Sequence, residues 1–514
     1  MANQDIKEFA RYTKKILSVE EMRAIDRNLY ALNIPVLTLM ENAGMAVANF
    51  VSDRVRGKKN ILVVCGTGKN GGDGFVAARA LSDKHNVTVA LLAQRQAVRA
   101  EEARTNLEAL QGTKAKVIEN AQYHMDGLLA DSDAVIVAVF GIGFHGEMPE
   151  DIAQVIGKIN KSGKMVFAVD VPSGLGRESS KKHALKADYT ITMHKMKDIL
   201  VKNPIAGKVV VADVGIPAEA ELYAGPGDVD MAVMPRDPYS SKRDNGTVMV
   251  VGGSAGYHGA PSLASNAAYS TLASIRAGAG YALTFVPKSV VTPVRSLSPN
   301  LIVRQLSGDN LSAKDLKQLE EQAKKSDSIA IGPGLGRERE SLDAAADFIA
   351  STARLGKRMV VDADALHAVP LIKKKLGRNV VLTPNDHEFE IFHKQKLKPA
   401  DLRARIEAAI SVATRLGTNV LLKGHETVVT DGERLKIVAA RSASLATMGT
   451  GDVLTGIIAG LAARTNDMFA AAVAGAYVHT AAGEALHRLK GDHILASDVI
   501  DYMPQVLKEF DRSR

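Results

Sequence analysis

The sequence predicts an α/β protein made of two doubly wound, three-layer αβα domains in tandem. Three observations lead there. Short β-branched runs alternate with longer helical patterns along most of the chain, the signature of βαβ units and a mostly parallel sheet. Glycine-rich loops directly follow several of these runs, where ligands of open α/β sheets bind. The rhythm breaks once, in a proline-bearing stretch read as a linker at 221–240, which divides the 514 residues into domains at 1–220 and 241–514.

In the first domain the strand candidates are 60–65 (NILVVC), 86–92, 133–139, 165–170, 188–193 and 208–213, with helical patterns at 74–84, 98–111 and 149–161 between them. In the second they fall near 247–252, 281–286, 328–332, 358–362, 379–383, 419–423 and 427–430, followed by alanine-rich helices from about 452 to 488.

Composition excludes several classes. At 46% hydrophobic and 24% charged residues the chain is globular rather than disordered. The single cysteine, Cys65, excludes a disulfide scaffold or a Cys-built metal centre and points to a reducing cytoplasm. No apolar run reaches the roughly 18 residues of a membrane helix, so no membrane association is expected. The net charge of +8 is spread thinly, there is no tryptophan, and no recognition motif occurs, so nucleic acid is not expected as a partner.

Three loops at strand ends mark a site in the first domain. GTGKNGGDG at 66–74 carries the Gly66, Gly68, Gly71 spacing of a phosphate-cradling turn. The following strand ends Leu92-Ala93-Gln94 with no acidic partner for a ribose, which argues against an ordinary nicotinamide-coenzyme site. FGIGFHGE at 140–147 and DVPSGL at 170–175 complete the set, and Asp170, a carboxylate on a strand tip, is the candidate acid or base. A cap or tight-turn role is its structural alternative.

The second domain has TMGTGDVLTG at 447–456, where Gly449, Thr450 and Gly451 lead into an apolar helix with Asp452 in its first turn. Backbone N–H groups there form an anion hole for a transferring phosphoryl group, and Asp452 is placed to take a proton from an attacking hydroxyl. No GxxxxGK[ST] loop occurs. Asp362 and Asp364 read equally well as strand-end caps.

These motifs resemble a known pair of families. LSVEEMRAID at 17–26, LMENAGMAVA at 39–48, KNGGDG, FGIGFHGE and DVPSG resemble the NAD(P)H-hydrate epimerases, over about 15–215. NGTVMVVGGSAGYHGAP at 245–261, RAGAGY, IGPGLGRE, VVDADAL, VLTPN, LKGHETVVTDG and ATMGTGDVLTGIIAGL resemble, in family order over 245–461, the ADP/ATP-dependent NAD(P)H-hydrate dehydratases. The resemblance implies a Rossmann-like three-layer αβα domain followed by a ribokinase-like αβα domain.

It also implies a function and a set of roles. Hydrated NADH and NADPH would be epimerised between R and S forms by the first domain. The second would dehydrate the S form with ADP or ATP, and with Mg2+ on the nucleotide phosphates. In the first domain the substrate would lie against Lys69, Asn70, Gly71, Gly72 and Asp73, against Gly141, Ile142, Gly143, Phe144, His145, Gly146 and Glu147, and against Asp170. Asn70 and Ser173 would ligate K+, Asp170 would be catalytic, and Lys195 in the run TMHKMK is its candidate partner. In the second, Ala260, Gly334, Asn385 and Asp452 would contact substrate, with Asp452 the base. Lys423, Gly424, His425, Glu426 and Thr427, with Gly451, would bind the nucleotide. The family usually assembles into homo-oligomers.

Three departures stand out. Lys69 replaces an asparagine, Val137 replaces an aspartate that ligates potassium, and Asn385 replaces a histidine, with His387 two residues on. The alternative function is a small-molecule kinase whose N-terminal domain only binds or oligomerises.

Overall fold

The computed structural model describes residues 8–176, 183–254, 260–440 and 442–511; the side chains of 260–265 lie outside that description. The chain forms two units, one of residues 14–217 and one of residues 8–13 with 218–511. The sequence reading starts the first domain at residue 1, but residues 8–13 belong to the second unit. Phe9 is buried in the same apolar cluster as Leu222, Leu402 and Ile406, and Glu8 pairs with Arg403 at 2.8 Å.

The first unit is built on seven parallel strands: β2 Asn60–Cys65, β3 Asn86–Leu91, β4 Lys116–Ile118, β5 Ala134–Ala138, β6 Met165–Val169, β7 Tyr189–Met193 and β9 Lys208–Ala212. Their order is β4-β3-β2-β5-β6-β7-β9. The central strands are near-continuous apolar runs because both sheet faces are covered. Ile61, Val63, Ile136 and Phe167 face one apolar layer; Leu62, Val64, Val135 and Val137 face the other. Strand order reverses between β2 and β5, so the loops after these strands flank the crevice where open sheets bind ligands. A separate two-stranded parallel pair joins β1 Ile16–Leu17 to β8 Met196–Lys197.

The second unit has nine strands. In chain order they are β10 Thr247–Val251, β11 Tyr281–Val286, β12 Ile302–Gln305, β13 Ser328–Ile331, β14 Arg358–Val361, β15 Val380–Leu382, β16 Asn419–Leu422, β17 Glu426–Thr430 and β18 Leu435–Ala439. The order is β12-β11-β10-β13-β14-β15-β16-β17-β18, parallel as far as β16 and antiparallel over the last three. Apolar layers cover both faces.

The stretch read as a linker at 221–240 is partly ordered into this unit. Short helices form at Glu219–Leu222 and Pro226–Ala232, Leu222 and Val229 are fully buried, and Asp228 pairs with Lys436 at 2.7 Å. Its prolines mark turns and a helix start, not a free tether. The helix after β2 begins at Lys69, five residues before the apolar pattern at 74–84 suggests, and the alanine-rich tail is two helices, Thr450–Ala462 and Met468–Lys490. Among the described residues no helix is long and apolar enough to cross a membrane.

Candidate functional sites

In the first unit, β2 ends against the helix Lys69–Leu81, whose N-terminal turn leaves backbone N–H groups open at Gly68–Asn70. Close approach explains part of the glycine pattern: a methyl group on Gly71 would lie 2.1 Å from the Gly66 carbonyl oxygen. Gly68 has nothing within 4 Å of the same position and faces open space.

Asp170, at the tip of β6, has φ +64°. The N–H of Val171 donates back to the Val169 carbonyl at 2.9 Å, closing a γ-turn of the rarer hand around it. His194, at the tip of β7, repeats the device with φ +66° and a 2.8 Å bond from the Lys195 N–H to the Met193 carbonyl. Such backbone costs about 1–3 kcal/mol per residue and persists where surroundings over-determine it.

The Asp170 carboxylate is heavily coordinated. Oδ2 accepts from the Ile142 N–H at 3.1 Å, Oδ1 accepts from the Thr192 hydroxyl at 3.3 Å, and the Lys197 ammonium stands 3.2 Å from Oδ1. Lys197 is 1% exposed. The cation on Asp170 is therefore Lys197, where the sequence reading chose Lys195. The turn at His194 breaks the alternation of β7, and pairing with Leu17 holds Lys197 in β8.

Other predicted residues gather here. A methyl group on Gly141 would lie 3.2 Å from the Asn70 amide and 3.3 Å from Asp170 Oδ2, so this glycine lets all three converge. Asn70 Nδ2 is buried with no hydrogen-bond partner, an expensive state unless a ligand meets it. Asp73 is half-buried, and its carboxyl is pushed well up, by burial first and then by Asp170. Gly143 offers its carbonyl to Arg23 Nη2 at 3.2 Å, and Phe144 stacks on Phe140. His145 folds back on the Gly143 carbonyl, and His145, Gly146 and Glu147 form an exposed outer limb. Ser173 is fully buried, accepting from the Phe140 N–H at 3.0 Å and donating to its carbonyl at 3.1 Å. Lys69 is exposed, its ammonium 5.6 Å from the centre of the Tyr30 ring.

In the second unit, Gly449 (φ +88°) caps the helix Thr450–Ala462. Asp452, 8% exposed, sits in the first turn, and its carbonyl accepts from Ser270 at 2.7 Å. Burial, reinforced by Asp362, lifts its carboxyl to about 7. Lys423, at the end of β16, lies 2.9 Å from Asp362 Oδ1 and 3.7 Å from Glu388. Burial opposes its charge, but those two carboxylates more than compensate and hold the ammonium ionised. A methyl group on Gly451 would lie 3.5 Å from Lys423 Nζ, so the ammonium stands beside the helix N-terminus.

Asp362 is no cap. Its second oxygen accepts from Thr455 at 2.6 Å, so it ties β16 and the Thr450–Ala462 helix to the end of β14. Asp364 accepts from the Gly336 N–H at 3.0 Å and pairs with Arg337 at 2.8 Å, fixing the loop that holds Gly334 (φ +65°). Arg405, 1% exposed, donates to the Lys423 carbonyl at 3.0 Å and braces the Lys423–Gly424 turn. His425 is exposed, Glu426 accepts from the Tyr223 hydroxyl at 3.3 Å, and Thr427 closes back on Gly424. Ala260 opens the helix Ala260–Arg276, its side chain outside the described residues.

Asn385 caps the helix Asp386–Phe389, accepting from the Glu388 N–H at 2.9 Å, while Glu388 bonds its backbone N–H in return. His387 points to solvent, 89% exposed, and does not stand in for the usual histidine. Sequence reasoning left Asp362 as a possible cap and gave Glu388 no role; Asp362 directly follows β14, whereas Glu388 lies in the short helix after β15 and carried no such signal.

Comparison with known proteins fits both halves. The family profile described as NAD(P)H-hydrate dehydratase matches residues 248–505, and the one described as YjeF-related protein N-terminus matches 36–199. The bifunctional NAD(P)H-hydrate repair enzyme of Methanothermobacter thermautotrophicus is 36% identical over 505 residues, covering 96% of this chain and 95% of its own. That of Pyrobaculum aerophilum is 38% identical over 502 residues, covering 95% and 97%. With both profiles in the same order and identity sustained along nearly the whole length, the chain belongs to the family of bifunctional NAD(P)H-hydrate repair enzymes.

Proposed function

We propose that this protein returns hydrated NADH and NADPH to use, the first unit epimerising the R and S hydrates and the second dehydrating the S hydrate with ADP or ATP. The observation that carries the reading is the cluster of Asp452, Lys423, Asp362 and Gly451 at one helix N-terminus. It combines a base of raised pKa, a cation and backbone donors, as phosphoryl transfer requires.

In the second unit Asp452 takes the proton of the hydroxyl on carbon 6 of the reduced nicotinamide ring. The oxygen attacks the terminal phosphorus, and AMP leaves from ADP, or ADP from ATP. Lys423 and the N–H groups around Gly451 hold the charge of the transferring group. The carbon–oxygen bond then breaks, pushed by the ring-nitrogen lone pair, releasing inorganic phosphate. Loss of a proton from carbon 5 restores the double bond.

Mg2+ would neutralise phosphate charge. It characteristically uses one or two carboxylates plus phosphates. Glu388 suits that, since Asp452 serves as the base and Asp362 is committed to Lys423 and Thr455. Potassium on Asn70 and Ser173 fits poorly. Val137 lies between Val64 and Ala168 in the sheet and packs in an apolar layer, and the Ser173 hydroxyl is committed to the Phe140 backbone. No step is assigned to that ion. We place its work in the cytoplasm, read no nucleic-acid or membrane partner, and expect the family's usual homo-oligomer for assembly.

The test is absorbance at 340 nm when the full chain meets a mixed R/S pool of hydrated NADH with Mg2+ and ADP or ATP. A fast phase equal to the S fraction, then a second phase faster than spontaneous epimerisation, is the expected outcome. A stable phosphorylated product without recovery of NADH would overturn it in favour of a kinase.

A further inference from the structure

The helix Val19–Ala31 carries no assigned role, yet one of its faces lines the first unit's site. It starts from β1, which pairs with the Lys197 strand, and is fixed by a capping box between Ser18 and Glu21. Residues 23, 26 and 30 fall within about 60° of one another on a helix of 3.6 residues per turn. Arg23 reaches the Gly143 carbonyl at 3.2 Å, and Tyr30 lies under the Lys69 ammonium at 5.6 Å. Asp26 lies between them on that face, within reach of the charges of Lys69, Asp170, Lys197 and His194. Arg23 and Tyr30 are solvent-open, and Asp26 lies on the same open side with its carboxyl crowded by the surrounding site residues, whereas Met22, Ile25 and Leu29 on the other side are buried.

We propose that Asp26 is the general acid of epimerisation, working with Asp170 as the base. The inference rests on the repair reading above. Asp26 donates a proton to the carbon-6 hydroxyl, the carbon–oxygen bond breaks, and water leaves as the ring-nitrogen lone pair forms an iminium. Asp170 then takes a proton from a water that adds to the other face of carbon 6, giving the opposite epimer. Water is lost and gained once, and the proton that Asp26 gives is matched by the one Asp170 receives. The charged groups close enough to act on Asp26 are Lys69 and Asp73 from the Lys69–Leu81 helix, Asp170 from β6, His194 from the turn after β7, and Lys197 from β8. Lost hydration, reinforced by Asp170 and opposed first by Lys69, lifts the Asp26 carboxyl to about 6. Asp170 is paired with the buried Lys197 ammonium at 3.2 Å, while Asp26 is lifted by its surroundings, and the two divide into base and acid.

The experiment follows the two-phase recovery of NADH in the full chain. Asp26→Asn is expected to leave the fast S phase unchanged, not to lower the thermal midpoint, and to cut the catalysed second phase by about 10²-fold or more. Binding of the R hydrate, measured at equilibrium, should persist, and Asp26→Glu should recover part of the rate. In the unsubstituted protein kcat/KM for epimerisation should fall as pH rises above about 6, a limb absent from Asp26→Asn. An Asp26→Asn protein whose second phase matches the parent, while the parent exceeds the spontaneous rate, overturns the proposal. A parent whose second phase only equals the spontaneous rate overturns the epimerase reading itself.

Discussion

Asp452 is a carboxylate that its surroundings hold against ionisation, and this has opposite consequences for chemistry and for stability. As a base it must be ionised, so the dehydration rate is expected to rise with pH through about 7 and level off above. Asp452→Asn should lower that rate by about 10²–10⁴-fold. For stability the sign reverses. Between the ordinary carboxyl value of 3.8 and about 7 the folded chain keeps a proton that the unfolded chain has lost, so this group weakens the fold as pH rises through that window. Asp452→Asn should therefore raise the melting temperature at pH 8 and leave it unchanged near pH 3, which paired thermal melts would check. Asp362 behaves differently, because both its oxygens are engaged. Asp362→Asn removes the main partner of Lys423 and should raise KM for the nucleotide about tenfold, roughly 1.4 kcal/mol. It should also cost several kcal/mol of stability, as breaking a buried pair does; nucleotide titration and denaturant unfolding separate the two effects.

The same distinction between chemistry and support runs through whole elements. The helices Ala260–Arg276 and Thr450–Ala462 meet closely at Gly456, where a methyl group would lie 2.2 Å from the Ser270 carbonyl oxygen. Ser270 also holds the Asp452 carbonyl. Gly456→Ala should cost about 1–3 kcal/mol by overpacking and slow dehydration, because the same contact positions the catalytic turn; urea unfolding with parallel kinetics would show both. How far such elements are legible in sequence follows from their burial. The core strands β2, β5, β6, β10, β13 and β14 were readable because both faces are covered and the runs are continuously apolar. Short or peripheral ones, β1, β4, β8, β12 and β18, carry two to five residues and too little pattern to register. The helix opening at Lys69 was hidden by glycines, which weaken helical pattern while allowing close packing. Sites follow the same logic. Asp170 is singled out in the sequence by its place on a strand tip and Asp452 by the glycines before an apolar helix, whereas Lys197 is displaced from its apparent register by the turn at His194, and Asp26 looks like any polar residue on the solvent face of an amphipathic helix.

At the scale of the molecule, the division into units does not follow the division of the sequence. Residues 8–13 and 218–511 form one unit, although residues 14–217 of the other lie between them in the chain. Phe9→Ala should destabilise the unit that contains Asp452 by about 3–5 kcal/mol, as loss of a buried phenylalanine does, although Asp170 is far nearer in sequence. Calorimetry of the full chain is expected to show the dehydratase transition move down while the other stays; movement of the other transition alone would contradict the packing of Phe9.

That packing also sets an order of events during synthesis. Phe9 leaves the ribosome before any of residues 14–217, but Arg403, the partner of its neighbour Glu8, and the cluster residues Leu402 and Ile406 are made several hundred residues later. Throughout that interval the Phe9 side chain lacks the cluster that buries it in the finished protein, while residues 14–217 already have all of their own strands. One protease cut near residue 217 in the finished protein would likewise not free the two units, since the amino-terminal segment would still be clasped by the other.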